Sequence, residues 1–391
     1  MSEFKWSKAF KYALATTALF FLMVYVIINV LVAVNYAHLG RLSKVMEIIS
    51  KEYVEEVSLE KLVDGAIEGM VNLDPYSEFH TAEEHEWMMN HIEGEFGGIG
   101  IYYKTEQDRL VITEVIRGAP AEKEGLEAGD EILRVDGEDV AHLTQGETIT
   151  KMRGPEGSQV TVDVFRGSTQ EHFQQVLTRA IISVSSVEWA PYPGEEDMAV
   201  VYISTFNKRT FNDFDGVLKE IDAENRYKGV IIDLRNNPGG ELNAGIAMTS
   251  RFVPQGPVMY TVDRRGAMQS MNRREGVEFL NRPFVLLVNE NSASASEVLI
   301  GAVKDYETGS IVGTKTFGKG VIQSLFSLDE DTGIKLTVQK YLTPHKKDVH
   351  GVGIEPDYLV QLEKDEKITV LPEETPDSQM QKACEVLRGR I

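Results

Sequence analysis

Three short segments hold the residues whose types and spacing could do chemistry, and each adjoins an apolar run. The first is Asp233-Leu234-Arg235-Asn236-Asn237-Pro238-Gly239-Gly240. A Pro-Gly-Gly turn after a buried strand can present free backbone N–H groups, as an oxyanion hole requires, although a plain strand-to-helix turn is spelled the same way. The second is Asn289-Glu290-Asn291-Ser292-Ala293-Ser294-Ala295-Ser296-Glu297, just after the strand-like Phe284–Val288. A hydroxyl at a strand-to-helix turn suits a nucleophile, because the new helix supplies N–H donors. The competing reading is helix capping by Ser292 or Ser294, with Glu297 completing a capping box. The third is Gly313-Thr314-Lys315-Thr316-Phe317-Gly318-Lys319-Gly320. It nearly spells a phosphate-binding loop, but Gly320 stands where a magnesium-binding hydroxyl is needed. Val321–Phe326 then reads as a strand rather than a helix, which disfavours an anchored ATPase.

Other chemistries find less support. The chain has no G-x-S-x-G elbow and no H-E-x-x-H helix. His345 and His350 lie in a Lys-rich turn and read as solvated, and Asp233 reads as structural at a strand end. The single cysteine, Cys384, excludes an intrachain disulfide or a cysteine zinc site. No metal or organic cofactor is implied. A net charge of -21 disfavours nucleic acid as a partner.

The elements that must position these segments follow from periodicity. With 391 residues, 42% of them hydrophobic, the chain suits two or three domains with real cores. From Ile181 strands and helices alternate. Ala199–Ile203, Gly229–Leu234, Pro283–Val288 and Ile334–Tyr341 read as strands, and Val217–Ile221, Leu242–Phe252 and Ala295–Val303 as helices. That pattern predicts an α/β core over 181–361. The stretch 362–391 is acidic, carries Pro372 and Pro376, and reads as a loose tail.

Residues 93–180 have a different texture. Gly97-Gly98-Ile99-Gly100-Ile101 enters a strand; Gly118-Ala119-Pro120-Ala121, the AGDEIL segment ending at Leu133, and Val135-Asp136-Gly137 follow. A helix near Gly146–Met152 and the alternating Val160–Phe165 close the unit. This order resembles a PDZ domain, whose carboxylate loop falls on Gly97, Gly98, Ile99, Gly100 and Ile101. Successive N–H groups there would hold a terminal carboxylate while a peptide adds as a strand. Arg153, just after the last helix, is a candidate for sensing peptide occupancy.

Upstream, 39–92 reads as helical, either a packing unit or a homodimerisation arm. Residues 12–36 carry no charge and follow Lys5, Lys8 and Lys11. The expectation is an uncleaved single-pass transmembrane anchor in the cell membrane, with the N-terminus cytoplasmic and the rest outside.

Taken in order, LDPYS (Leu73–Ser77), the PDZ-like insert, DLRNNPGG, NENSASASE, TFGKG with Gln323, and Tyr341-Leu342-Thr343-Pro344 followed by Gly351–Asp357 resemble the carboxy-terminal processing peptidases, also called tail-specific proteases. The resemblance implies a multidomain α/β serine endopeptidase acting on proteins with accessible C-terminal tails, which the stretch 12–36 would anchor to the membrane. Its nucleophile would be Ser294, its general base Lys319, and its supporting residue Gln323. The N–H groups of Ala295 and Gly240 would form the oxyanion hole. Lys319 would have to be neutral, far below the free-lysine pKa of about 10.4, which burial among Phe317, Val321 and Ile322 favours. An alternating strand would set Lys319, Val321 and Gln323 on one face. The alternative is a catalytically silent, anchored peptide-binding adaptor.

Overall fold

The computed structural model describes residues 17, 19–23, 25, 39–106, 109–143, 145–329, 332–372 and 375–391. They fall into two compact units, Met1–Phe79 and His80–Ile391. Apart from residues 17, 19–23 and 25, the expected anchor at 12–36 lies outside the described residues. Among the described residues, no helix is long and apolar enough to cross a membrane.

In the first unit, residues 39–52 are helical and a second helix runs over Leu59–Val71. Ser58 caps it by accepting from the Lys61 N–H at 3.2 Å. Leu59 and Met70 stay exposed on this helix. Asp74 shapes the following turn, accepting from the Tyr76 N–H (2.8 Å) and the Ser77 hydroxyl (2.9 Å).

The second unit begins with the helix Ala82–Glu93. A capping box between Thr81 and Glu84 starts it, and Gly94 in the left-handed conformation stops it. An antiparallel five-strand path follows: Ile101–Glu106, Arg109–Val115, Asp130–Val135, Gln159–Arg166 and Glu171–Thr178. Val160, Val162 and Val164 point inward at every second position, joining Ile112, Ile132 and Leu177 in one apolar core. The strand Glu95–Gly98 pairs with Ala180–Ser183 where the chain enters and leaves this module.

The larger module is a six-stranded sheet. Val187–Pro191 is antiparallel to Met198–Ile203, and Gly229–Asp233, Phe284–Val288, Ser310–Gly313 and Tyr358–Leu359 continue it in parallel. Fully buried strands read as continuous apolar runs, as Gly229–Asp233 and Phe284–Val288 do. Their side chains divide by period two. Val230, Ile232, Leu286 and Val288 meet the helices Thr210–Ala223, Leu242–Phe252 and Ala295–Tyr306. Ile231, Val285, Leu287 and Val312 meet Met380, Ala383, Cys384 and Leu387.

Those last four residues belong to a helix, Ser378–Arg388, which corrects the expectation of a loose tail over 362–391. They recur at i, i+3, i+4 and i+7, the spacing of a buried helical stripe. Asp377 caps the helix through the Met380 N–H at 2.9 Å.

A separate antiparallel arrangement carries Val321–Ser327 against Gly333–Leu342, and the latter against Pro257–Asp263. It is a sheet distinct from the six-stranded one and supplies one wall of the site described next.

Candidate active site

The topology explains why three distant segments meet. Gly229–Asp233, Phe284–Val288 and Ser310–Gly313 are neighbouring parallel strands, and each segment leaves the carboxyl end of one of them. Adjacent strands lie about 4.8 Å apart, so the three loops emerge side by side at the usual ligand edge of a parallel sheet. The serine loop is in the middle. The Pro-Gly-Gly turn flanks it on one side and the lysine loop on the other.

Hydrogen bonds lock the first pair of loops. The Asn237 carbonyl accepts from the Ala293 N–H (3.0 Å) and the Ser296 hydroxyl (3.1 Å). Its amide donates to the Ile203 carbonyl (2.8 Å) and accepts from the Gly239 N–H (2.9 Å). Gly239 packs so closely that a Cβ there would lie 2.8 Å from the Ala295 nitrogen and from Ser294 Cβ. The Gly239 N–H is thus committed to Asn237, whereas the Gly240 N–H has no acceptor among the described residues.

Ser294 starts the helix Ala295–Tyr306 with φ +56° and ψ -115°. A non-glycine residue in such a region costs roughly 1–3 kcal/mol and persists only where its surroundings hold it. Here its N–H donates to Glu297 Oε2 at 3.0 Å, and its carbonyl accepts from the Tyr341 hydroxyl at 3.1 Å. Tyr341 is buried, and burial, reinforced by Glu297 and Asp348, pushes its hydroxyl well above the ordinary phenol range, so it stays a donor. This serine thus occupies the cap position with its backbone held from both ends.

The lysine loop is fastened to the same helix. Glu297 also accepts from the Thr316 hydroxyl (2.6 Å), the Gly318 N–H (2.7 Å) and the Lys319 N–H (2.8 Å). Burial raises its pKa, while the four donors oppose the rise. The Phe317 N–H donates to the Ser292 carbonyl at 3.1 Å, which leaves the Phe317 ring exposed instead of packed around the lysine. Val321 is buried and Lys319 half-buried. The strand starts only at Val321, and its register shifts between Ile322 and Gln323, so simple alternation from Lys319 does not hold. Gln323 donates to the Thr337 hydroxyl at 3.3 Å.

Ser294, Ala295, Gly240, Lys319 and Gln323 line one cavity of about 470 Å³. Trp87, Met88, His91 and Ile92 from the helix Ala82–Glu93 form another part of its wall, together with Lys335 and Tyr341. Sequence reading found the first five residues and missed the rest. Glu297 was visible only as a capping partner, and Tyr341 lies 47 residues from the serine it holds.

A second cavity, about 410 Å³, lies where the smaller module meets the larger one. Gly98, Ile99, Gly100, Ile101 and Arg153 line it from one side, and Ser186, Thr205 and Asn207 from the other. Gly97 is not among its lining residues. It sits in the strand Glu95–Gly98, where its carbonyl accepts from the Gly154 N–H (3.2 Å) and a Cβ would meet the Gly154 oxygen at 2.0 Å. The Arg153 guanidinium stacks 4.4 Å over the Phe96 ring, and burial lowers its pKa against the opposing charges of Tyr103 and Glu86. His91 and Thr205 line both cavities.

Known proteins place this architecture. The family described as peptidase family S41 matches residues 197–360, the PDZ domain 87–165, and the "activating protease CtpB N-terminal domain" 30–84. A carboxy-terminal-processing protease of Bartonella bacilliformis is 34% identical over 85% of this chain and 77% of its own length. A carboxyl-terminal-processing protease of Synechocystis is 37% identical over 83% of this chain and 77% of its own. Among solved structures, a photosystem II D1 C-terminal processing protease is 27% identical, covers 88% of this chain and 90% of its own, and superposes with a TM-score of 0.48. The chain belongs to the carboxy-terminal processing peptidases of family S41 and is a serine-type peptidase with a PDZ domain ahead of its protease domain.

Proposed function

We propose that Ser294 is the nucleophile and Lys319 the general base of an endopeptidase that selects its substrates by their C-termini. The observation that carries this reading is the shared cavity. Ser294 and Lys319, on loops from adjacent parallel strands, line it together with Ala295, the first residue of a helix, and Gly240, whose N–H has no hydrogen-bond acceptor among the described residues.

Neutral Lys319 takes the Ser294 proton as the hydroxyl attacks the scissile carbonyl. The oxyanion rests on the N–H groups of Gly240 and Ala295. Lys319 then protonates the leaving amine, and water, deprotonated by the same lysine, releases the acyl group. Gln323 steadies the lysine through its amide carbonyl. A neutral amide does this without the stabilisation of ammonium that a carboxylate would bring. Its own amide nitrogen is held by Thr337.

Ile99, Gly100 and Ile101 hold the terminal carboxylate of the substrate in the second cavity, and Arg153 reports its arrival. The residues common to both cavities, His91 and Thr205, make the neighbouring catalytic cavity the destination of the captured chain. The uncharged stretch 12–36, preceded by lysines, anchors the enzyme with this site outside the cell membrane. The exposed apolar side chains of the 39–71 region suit a homodimer contact.

The test is hydrolysis of a protein with a flexible apolar tail by the full chain in detergent, with Ser294→Ala as background. The free-carboxylate tail is cut several-fold faster than its C-terminal amide, and Ser294→Ala cuts neither. Equal rates for acid and amide would remove the terminal-carboxylate reading. Peptide binding without any cleavage would favour the silent adaptor.

A further inference from the structure

As the capping partner of Ser294, Glu297 needs only to accept from the Ser294 N–H. The side chain does much more. It is fully buried, and four donors converge on its two oxygens. Oε2 accepts from the Ser294 N–H (3.0 Å) and the Lys319 N–H (2.8 Å). Oε1 accepts from the Gly318 N–H (2.7 Å) and the Thr316 hydroxyl (2.6 Å). The Thr316 hydroxyl also accepts from the Ile354 N–H at 2.8 Å, and its own proton points at the carboxylate. A group that meets only donors is used as an acceptor on every side, which is the hydrogen-bonding habit of an ionised carboxylate. Its place in the first turn of the helix Ala295–Tyr306 favours the same charge.

The consequence is geometric. A single oxygen atom, Oε2, is bonded to the backbone of both Ser294 and Lys319, two residues 25 apart in sequence on loops from neighbouring strands. We propose that Glu297 is a positioning residue that sets the spacing of the nucleophile and the base by clamping their two backbones to one carboxylate. The inference rests on the Ser294–Lys319 reading. It adds that the dyad has no fixed separation without this anion. Tethered groups lose rate steeply when displaced by about 1 Å, so a loosened clamp lowers turnover more than substrate binding.

The experiment uses the full chain in detergent and the tailed substrate, with wild type, Ser294→Ala, Glu297→Gln, Thr316→Val and the Glu297→Gln/Thr316→Val double variant. Glutamine keeps the shape but turns one acceptor into a donor facing N–H groups. Glu297→Gln lowers kcat by about 100-fold, leaves KM within about threefold, and moves the pH midpoint of kcat/KM, because the lysine is no longer held beside the serine. Thr316→Val removes one of the four donors and lowers kcat by about tenfold. The double variant is no worse than Glu297→Gln alone, since both changes act on one clamp. A Glu297→Gln enzyme that keeps kcat within threefold and the wild-type pH midpoint overturns the proposal. If that variant fails to fold, Thr316→Val with an unchanged kcat overturns it instead. The control separates the two levels: wild-type hydrolysis by Ser294→Ala sinks the dyad itself, whereas an inactive Ser294→Ala beside an active Glu297→Gln sinks only the clamp.

Discussion

The Tyr341 hydroxyl donates to the Ser294 carbonyl at 3.1 Å, across 47 residues of sequence and from a different sheet. With Glu297 accepting from the Ser294 N–H, it holds the serine by both backbone groups at a conformation that non-glycine residues rarely adopt. Removing the hydroxyl alone, as Tyr341→Phe, forfeits about 1 kcal/mol of this restraint. The expected outcome is a kcat lowered about fivefold with KM nearly unchanged, read from steady-state kinetics on a tailed substrate.

The Pro-Gly-Gly turn should tolerate no side chain. Gly240 has φ +142°, and a Cβ there would lie 2.0 Å from the Phe206 carbonyl oxygen. Gly240→Ala must shift the turn and with it the N–H assigned to the oxyanion, so kcat should fall about 100-fold or more. Gly216, inside the helix Thr210–Ala223, is the contrast, since a Cβ there meets nothing within 4 Å. Gly216→Ala should keep full activity and gain up to about 1 kcal/mol in denaturant unfolding.

The C-terminal segment should matter to the site. Arg235, at the start of the Pro-Gly-Gly turn, is fully buried between Asp233 and Asp377, with contacts of 2.7 Å and 2.8 Å. Asp377 also accepts from the Thr369 N–H at 2.8 Å and caps the last helix. Breaking one side of such a buried pair costs about 3–5 kcal/mol, because the other charge is left uncompensated. Asp377→Ala should therefore lower the melting temperature markedly and reduce activity with it. A silent substitution would mean that the segment does not support the turn.

Acid should weaken the protein through Asp305. Burial pushes its carboxyl up, but the bonds from Lys347, Thr343 and the His345 N–H outweigh this and hold it below the ordinary carboxylate range. A depressed folded-state pKa gives stability that is present above the unfolded-state value and is lost as pH falls through the folded-state value. Asp305→Asn should thus melt several degrees below wild type at neutral pH. The gap should close as the pH drops below the ordinary carboxylate range, in melts recorded across that window.

Much of this was legible in the sequence, for reasons that are local. Apolar runs marked the parallel strands at Met198–Ile203, Gly229–Asp233 and Phe284–Val288, while the short Ser310–Gly313, and with it the meeting of the three loops, emerged only in the fold. What escaped was long-range. Glu297 satisfied a local capping pattern, which hid its three bonds to residues 316–319. Tyr341 is a strand residue without any local mark of its role. Trp87, Met88 and His91 reach the cavity from a helix that precedes the PDZ domain. The terminal helix carried a signal, since Asp377 precedes an apolar stripe at helical spacing, but the prolines and acidic residues before it masked that stripe. The register shift at Ile322 and the exposed Phe317 ring follow from backbone bonds that no pattern of side chains reveals.

The central claim is that Ser294 and Lys319 act as one dyad. The most direct measurement is the rate at which the full chain hydrolyses a C-terminally tailed protein when Lys319 is replaced by arginine, beside wild type and Ser294→Ala. Arginine keeps roughly the length and the donor character of the side chain but cannot lose its proton, so it cannot serve as a base. Both variants should fall to background, a loss of about 1000-fold or more. A Lys319→Arg enzyme that still cleaves at the wild-type rate would contradict the account.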